Sequence, residues 1–444
     1  MDYNLVVIGA GPGGYVAAIR AAQFKAKVAL IEKAEVGGTC LNRGCIPTKA
    51  ILNSLEVFSS IKEADKFGIS ISGECKADLS KIIDRKNKIV SQLNSGIKFL
   101  LKKKGVELIN GAGFIKSKNE IEVATKDGKK TISSDKIIIA TGSQPFELPD
   151  FKFDAKKIIS SNEALELRSV PESILIIGGG VIGVEFATIF NRLGTKVTIV
   201  EMLPQILPTE DIEVAVEIRK ILESSGIIII TGRKLASADE IPAEKILVAV
   251  GRVPDSSGLG LENIGVKLDN KKVVVDDYLN TNVEGVSAIG DVTGKLMLAH
   301  VASHQGIVAV ENMFGEETTM DYSLVPSCIF TNPEIASVGL SEAKAREKGL
   351  NIKVGKFPFA ASGKALCMGK SSGFVKIVAD KDTERVYGVH IIGVDATSLI
   401  AEAVLAIKLE STLDEFINTI HAHPTLPEVL MEASLVAKGT PIHV

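Results

Sequence analysis

The sequence predicts an α/β protein in which one βαβ unit occurs twice and a smaller α+β region follows. Three observations carry that expectation. An apolar stretch at 5–8 runs straight into Gly9-Ala-Gly11-Pro-Gly-Gly14 and then into helix-favouring residues. The same order returns at 174–177 and Gly178-Gly-Gly180-Val181-Ile182-Gly183. From about residue 324 the pattern changes to alternation at 374–378 and 386–392, the period of antiparallel strands.

In the first unit, strand 5–8 leads through the glycines to a helix over 15–24, then to a strand over 27–31 that ends at Glu32. Each part has a physical reason. Gly9 makes the tight turn, Gly11 lets backbone approach a pyrophosphate, Gly14 lets helix pack on strand, and Glu32 can accept ribose hydroxyls. A glycine turn with no ligand is the bland alternative. The flanking strand, helix, second strand and terminal acid argue against it, so the unit reads as a Rossmann-like dinucleotide-binding domain.

The second unit keeps the spacing. Glu32 lies 23 positions after Gly9, and Glu201 lies 23 after Gly178. A helix to about Leu193, a stop at Gly194 and a strand over 196–200 complete it. Two dinucleotides are therefore expected, each with its pyrophosphate on a helix N-terminus. An acid at the end of the second strand suits a free 2′-hydroxyl and repels a 2′-phosphate, so Glu201 points to NAD rather than NADP.

Both units close alike. Strand 136–139 enters Ala140-Thr141-Gly142, and strand 245–248 enters Ala249-Val250-Gly251. Ala140 comes 35 positions after Gly105, but Ala249 only 23 after Gly226. The first interval has room for a β-meander, with a strand at 120–123 and a turn at Asp127-Gly128; the second must be cut back. Apolar residues Ile82, Ile83, Ile89, Leu93, Ile97 and Leu100 recur at helical spacing, which predicts one long helix over 81–104 with a core-facing stripe.

Beyond Gly251 come a strand at 273–275 and an apolar strand from Val286 ending in Gly290-Asp291. A helix then opens near Met297-Leu298-Ala299-His300 and runs through Val310. Asp291 at such a junction either takes a ligand hydroxyl or caps the turn. A helix over 398–408 belongs to the final α+β region, which has no phosphate loop and whose natural role is dimerisation.

The stretch with the most pointed chemistry is Gly37-Gly-Thr-Cys40-Leu-Asn-Arg-Gly-Cys45-Ile-Pro-Thr-Lys49. Five residues of regular helix rise ~7.5 Å, beyond the ~7 Å between Cα atoms that a disulfide spans. A Cys40–Cys45 bond therefore requires an irregular turn, which Gly44 can supply. Pro47 suits the first helical position, and Cys45 at the helix's positive end favours a thiolate. Two unrelated small buried residues are the alternative.

Composition narrows the partners. A chain of 444 residues, 45% hydrophobic, has room for two or three domains. Its net charge of −3 gives no basic footprint for nucleic acid or anionic membrane. No stretch reaches the ~20 apolar residues of a membrane span, and no signal peptide is evident, so a cytoplasmic protein is expected. Five cysteines are too few for a secreted disulfide framework. Cys75, Cys328 and Cys367 read as packing residues, and no metal site is expected.

Near the end stands His421-Ala-His423-Pro-Thr425-Leu-Pro-Glu428. Thr425 with Glu428 matches a capping box that would open the last helix. The other reading is a histidine general base oriented by a carboxylate, a common device for thiol activation.

Taken together, Gly-Gly-Thr-Cys40 through Lys49, the paired fingerprints, Ala140-Thr-Gly, Ala288-Ile-Gly-Asp291, Met297-Leu-Ala-His300 and His421-Ala-His-Pro-Thr resemble the pyridine nucleotide-disulfide oxidoreductases. Within these two-fold flavoproteins the chain is most similar to the dihydrolipoyl dehydrogenase family, over essentially its whole length. The resemblance implies an FAD-binding domain at 1–143, an NAD-binding domain at 144–251, a central segment at 252–322 completing the FAD site, and an interface domain at 323–444.

It also implies roles. Glu32 and Asp291 would hold the ribose and ribityl hydroxyls of FAD, with Gly113, Thr141, Gly142, Ser143 and residues Met297 to His300 lining its site. Gly178, Gly180, Val181, Ile182, Gly183, Glu201 and Gly251 would hold NAD. Lys49 and Glu185 would pair beside the flavin. Cys40 would exchange with lipoamide and Cys45 face the flavin, while His423, from the partner subunit of a homodimer and backed by Glu428, would be the acid/base. The implied reaction oxidises dihydrolipoamide, carried on the lipoyl domain of a 2-oxo acid dehydrogenase complex or on the glycine cleavage H protein, and reduces NAD⁺.

Three rivals are weighed by residue. A glutathione-type reductase would carry arginines after strand 196–200, where Glu201-Met-Leu-Pro stands. A mercuric reductase would carry a C-terminal cysteine pair, yet no cysteine follows Cys367. A non-catalytic flavin-binding protein would leave Cys40 and Cys45 idle.

Overall fold

A computed structural model describes residues 1–444, which form two compact units. The first comprises Met1–Ser169 and Gly251–Met320. Its parallel sheet runs in the order Glu107–Asn110, Val28–Glu32, Tyr3–Ile8, Gly128–Ile139, Val286–Ala288. Val6, Ile8, Ala29 and Ile31 face one buried layer, and Leu5, Val7, Val28 and Leu30 the other. Both faces are covered, as a parallel sheet requires. One cover is the expected meander of Ala112–Ser117, Glu120–Thr125 and the start of Gly128–Ile139. The other includes helices Pro12–Gln23 and Ala299–Met313. These helices approach so closely that a Cβ on Gly306 would lie 2.6 Å from the Gly13 carbonyl oxygen.

The second unit comprises Val170–Val250 and Asp321–Val444. Its parallel strands Ile228–Ile230, Lys196–Val200, Ser173–Ile177 and Lys245–Val248 are neighbours in that order. Helix Val181–Arg192 follows the second fingerprint, and residues 231–244 are turns and bends with no further strand, so the second interval is indeed cut back. An antiparallel sheet follows, ordered Ser327–Ile329, Glu334–Gly339, Val386–Gly393, Phe374–Asp380, Ile352–Pro358. Helices Ala396–Lys408 and Glu428–Lys438 pack on it.

Several expectations need correction. The long helix exists as Leu79–Lys103, but its apolar stripe faces the core only in part: Ile83 is buried and Ile97 packs against the core, whereas Leu93 and Leu100 are exposed. The helix also buries Lys86, which donates to the Leu165 carbonyl at 3.1 Å, and Asn94. Asn94 donates to Asn42 at 2.7 Å, and Asn42 in turn donates to the carbonyls of Val36 and Gly38. This polar chain braces the cysteine segment. Cys75 and Cys367 are exposed rather than packed. Pro47 is the third residue of helix Cys45–Lys62, not the first; within the opening turn its missing N–H still costs no helical bond.

The capping box at Thr425 is only half formed. The Glu428 carboxylate accepts the Thr425 amide at 2.6 Å, but the Thr425 hydroxyl donates to the Ala422 carbonyl at 2.6 Å and the helix starts only at Glu428.

Candidate functional site

The cysteine segment is shaped by glycine. Gly37 and Gly38 have φ of 88° and 56°, and a Cβ on Gly38 would lie 2.6 Å from the Gly11 Cα. The short helix Gly38–Arg43 carrying Cys40 is thereby pressed against the first fingerprint. Gly44, at φ −151° and ψ −114°, breaks the helix and caps the next one, Cys45–Lys62. The Thr48 amide and hydroxyl both donate to the Gly44 carbonyl, at 3.1 and 2.7 Å. This is the irregular turn that five-residue spacing demanded.

Cys45 is the first residue of its helix, where unpaired amides and the helix dipole favour negative charge. Both cysteines stand as thiols, Cys40 partly buried and Cys45 exposed. The Cys40 thiol is pushed far above its ordinary range, first by its hydrogen bond to Cys45, then by burial and the Cys45 charge, with Lys49 pulling the other way. Cys40 therefore holds its proton tightly, while Cys45 stands at the helix's positive end.

The two fingerprint acids are held in matching ways. The Glu32 carboxylate accepts the Ala10 amide at 2.7 Å and the Ala34 amide at 2.8 Å. The Glu201 carboxylate accepts the Gly179 amide at 2.7 Å and the Leu203 amide at 2.8 Å. Both are buried, so the duplication seen in the spacing extends to the hydrogen bonds. Gly9 and Gly178 have φ above 100°, and Gly14 and Gly183 leave no room for a Cβ beneath the turn. At Gly180 a Cβ would meet nothing within 4 Å, and at Gly11 only the Gly38 Cα at 4.0 Å. Side chains there would fill open cradles at helix N-termini, which is the shape that bound pyrophosphates need.

Around the first fold's closing loop, Thr141 donates to the Asp255 carbonyl at 2.6 Å, and Asp255 N donates to the Gly142 carbonyl at 2.9 Å. Ser143 donates to Asp291 at 2.5 Å. Asp291 lies on the turn Gly290–Thr293, which is closed by backbone and by Thr293. Its carboxylate thus has a task other than capping. Sequence reasoning missed Arg252, whose guanidinium donates to the Ser143 hydroxyl at 2.8 Å and to its carbonyl at 2.7 Å. Burial lowers the Arg252 pKa, and the Asp291 charge opposes this. The Gly251-Arg252-Val-Pro run after strand Lys245–Val248 was the available signal.

Other expected residues fall as follows. Gly113 is buried in the meander, where a Cβ would crowd Ile8 at 3.3 Å, so packing accounts for its glycine. Leu298 precedes helix Ala299–Met313, and Ala299 and His300 open it. Val181 and Ile182 open the second fingerprint helix, and Gly251 has φ of 121°. Lys49 lies on helix Cys45–Lys62. Glu185 is buried on helix Val181–Arg192, its carboxylate accepting the Phe330 amide at 3.0 Å.

His423 and Glu428 do meet. His423 Nδ1 lies 2.8 Å from Glu428 Oε1, and Oε2 accepts the Thr425 amide at 2.6 Å. Burial resists ionisation of Glu428, yet the Thr425 amide and His423 hold its carboxyl below the ordinary range. The His423 side chain is 81% exposed in the single chain. A cysteine at a helix start, a second thiol hydrogen-bonded to it, two phosphate cradles and a carboxylate-backed histidine are the parts of a dithiol redox enzyme.

Residues 3–306 match the family model described as pyridine nucleotide-disulphide oxidoreductase, and residues 325–434 match its dimerisation domain. The chain belongs to this family. Among curated members of it, the dihydrolipoyl dehydrogenases of Bacillus subtilis strain 168 and Thermus scotoductus are each 44% identical, covering 100% of this chain and 99% of their own length. Among solved structures, LpdA from Mycobacterium tuberculosis has a TM-score of 0.91 at 28% identity, covering 97% of this chain and 99% of its own. The HOCl-induced flavoprotein disulfide reductase RclA from Escherichia coli has a TM-score of 0.87 at 29% identity, with coverage of 97% and 99%. The dimerisation domain makes this oxidoreductase a homodimer, and no helix is long and apolar enough to cross a membrane.

Proposed function

We infer that the chain catalyses the dihydrolipoyl dehydrogenase reaction, oxidising dihydrolipoamide to lipoamide through the Cys40–Cys45 pair and reducing NAD⁺ to NADH. The observation that carries this reading is the Cys40–Cys45 pair itself, hydrogen-bonded across the break at Gly44 with Cys45 as the first residue of helix Cys45–Lys62. A substrate dithiol needs a disulfide whose leaving sulfur is already stabilised, and Cys45 at the helix start is that leaving group.

From the oxidised pair, His423 accepts a proton from one substrate thiol, and the resulting thiolate attacks the Cys40 sulfur. The Cys40–Cys45 bond breaks and Cys45 departs as a thiolate. The second substrate thiol then attacks the mixed disulfide, closing the lipoyl ring, and Cys40 takes a proton as it leaves. The substrate has lost two electrons and the cysteine pair has gained them. Glu428 binds Nδ1 of His423, so Nε2 is the nitrogen left to accept the proton. When bound in the first fold, FAD would supply the two-electron chemistry that links the cysteine pair to NAD⁺ in the second.

The cradle at Gly11, with Glu32, Ser143, Asp291 and residues 297–300, would hold FAD; the cradle at Gly180, with Glu201, would hold NAD. Lys49 and Glu185 would form the pair beside the flavin. Residues 1–143, 144–251, 252–322 and 323–444 would then be the flavin, nicotinamide, central and interface segments. In the homodimer His423 would serve the cysteine pair of the partner subunit, a reading supported by its exposure in the single chain. The substrate would be carried on the lipoyl domain of a 2-oxo acid dehydrogenase complex or on the glycine cleavage H protein, in the cytoplasm.

The test is an anaerobic assay of the purified flavoprotein with dihydrolipoamide and either nucleotide. NADH formation at many times the rate of NADPH formation is expected. No turnover with dihydrolipoamide would refute the assignment.

A further inference from the structure

The segment that stands in place of the second unit's meander does more than shorten the chain. Strand pairing between Lys196–Val200 and Ile228–Ile230 continues past both strand ends. The Glu201 amide donates to the Ile230 carbonyl at 2.8 Å, the Arg233 amide to the Glu201 carbonyl at 3.1 Å, and the Gly232 amide to the Leu203 carbonyl at 2.9 Å. An arginine is thus pinned by its backbone to the residue expected to read the nucleotide's ribose. No arginine stands in the residues just after Glu201; Arg233 arrives from beyond the end of the neighbouring strand.

The Arg233 guanidinium is engaged. It donates to Glu240 Oε2 at 2.8 Å, while Glu240 Oε1 accepts the Ala236 amide at 2.5 Å and the Ser237 amide at 3.2 Å. The loop is wound about this one carboxylate, which holds the guanidinium at 43% exposure. The other arginine on this edge, Arg219, is committed to Glu223, Thr231 and the Ile229 carbonyl.

We propose that the Arg233–Glu240 pair sets the choice between pyridine nucleotides, Glu240 occupying a guanidinium that would otherwise receive a 2′-phosphate beside Glu201. The inference rests on the reading that the second fold holds the nucleotide. NAD preference then has two parts: Glu201 repels the phosphate, and Glu240 removes the cation that would attract it. Arginine forks bind carboxylate and phosphate with the same planar geometry, so the two compete for one partner.

The test is calorimetric titration of the FAD-loaded protein with AMP and with adenosine 2′,5′-bisphosphate, which differ only in the 2′-phosphate. Glu240→Gln keeps an oxygen for the Ala236 and Ser237 amides but loses the charge. It should raise affinity for the bisphosphate relative to AMP by about tenfold, the scale of one charge-assisted hydrogen bond. The gain should shrink at high salt and vanish in Arg233→Gln/Glu240→Gln. A ratio unchanged within about twofold, equal weakening of both ligands, or a gain that survives loss of Arg233 would each overturn the proposal. Failure of AMP to bind the unmodified protein would remove the nucleotide reading on which it rests, and the proposal with it.

Discussion

Glu428 divides its carboxylate between His423 and Thr425, one oxygen 2.8 Å from the imidazole Nδ1 and the other 2.6 Å from the Thr425 amide. A carboxylate can only accept, so Nδ1 carries the hydrogen and Nε2 is left to take a proton. Glutamine has one acceptor oxygen. In Glu428→Gln the Thr425 amide would claim that oxygen, and the side-chain NH₂ would face Nδ1 and reverse the tautomer. Turnover with dihydrolipoamide should fall by roughly 10²-fold, the low end for general-base loss, with little change in thermal midpoint. Unchanged kinetics would assign Glu428 to the backbone alone.

Arg252 clamps Ser143 by hydroxyl and carbonyl while Ser143 holds Asp291. Lysine offers a point charge in place of the fork. Arg252→Lys should therefore loosen Asp291 and increase the fraction of FAD lost on gel filtration, measured by the ratio of flavin to protein absorbance. A variant that retains its full flavin would show the clamp to be irrelevant to the cofactor.

In the second unit Lys376, fully buried, binds Asp211 through both oxygens at 3.1 Å and also binds Glu213 at 2.7 Å and Glu342 at 2.9 Å. Asp211 is equally buried. Lys376→Met would strand that carboxylate and should cost about 3–5 kcal/mol in denaturant unfolding, the usual range for breaking a buried pair. Glu213 is held below its ordinary value of 4.5 by Lys356 and Lys376, and Glu342 chiefly by Lys376. Depressed carboxylates stabilise the fold fully above that value and lose the contribution as pH falls through the folded-state pKa. The gap between wild type and Lys376→Met should thus be widest near neutral pH and narrow below about 4.5; a gap that stays constant would remove these acids from the account.

What could be read from the sequence was local. The fingerprint glycines, the two acids at matched spacing and the turn between Cys40 and Cys45 all follow from backbone requirements within a few residues, and each is found where expected. The stripe on Leu79–Lys103 misled because periodicity reports an amphipathic helix without saying what covers it. Its buried polar groups are Lys86 and Asn94, whose partners lie at Leu165 and Asn42. Arg252 escaped for the same reason, being 109 positions from Ser143. The capping box formed only its Glu428–Thr425 amide half, since the helix begins at Glu428 rather than just after Thr425, which residue types alone do not reveal.

The central claim, that electrons enter through a Cys40–Cys45 disulfide opened by substrate, is tested most directly by counting thiols through one cycle. FAD-loaded, oxidised protein is mixed anaerobically with one equivalent of dihydrolipoamide, quenched by alkylation in denaturant, and the labelled cysteines are located by mass spectrometry. Cys40 and Cys45 should gain label together, and addition of NAD⁺ should remove it as NADH appears. In His423→Gln the first stage should slow by roughly 10²-fold or more, while the second keeps its rate. Labelling of Cys40 and Cys45 that does not change through the cycle, or NADH formation undiminished in Cys40→Ser or Cys45→Ser, would contradict the account.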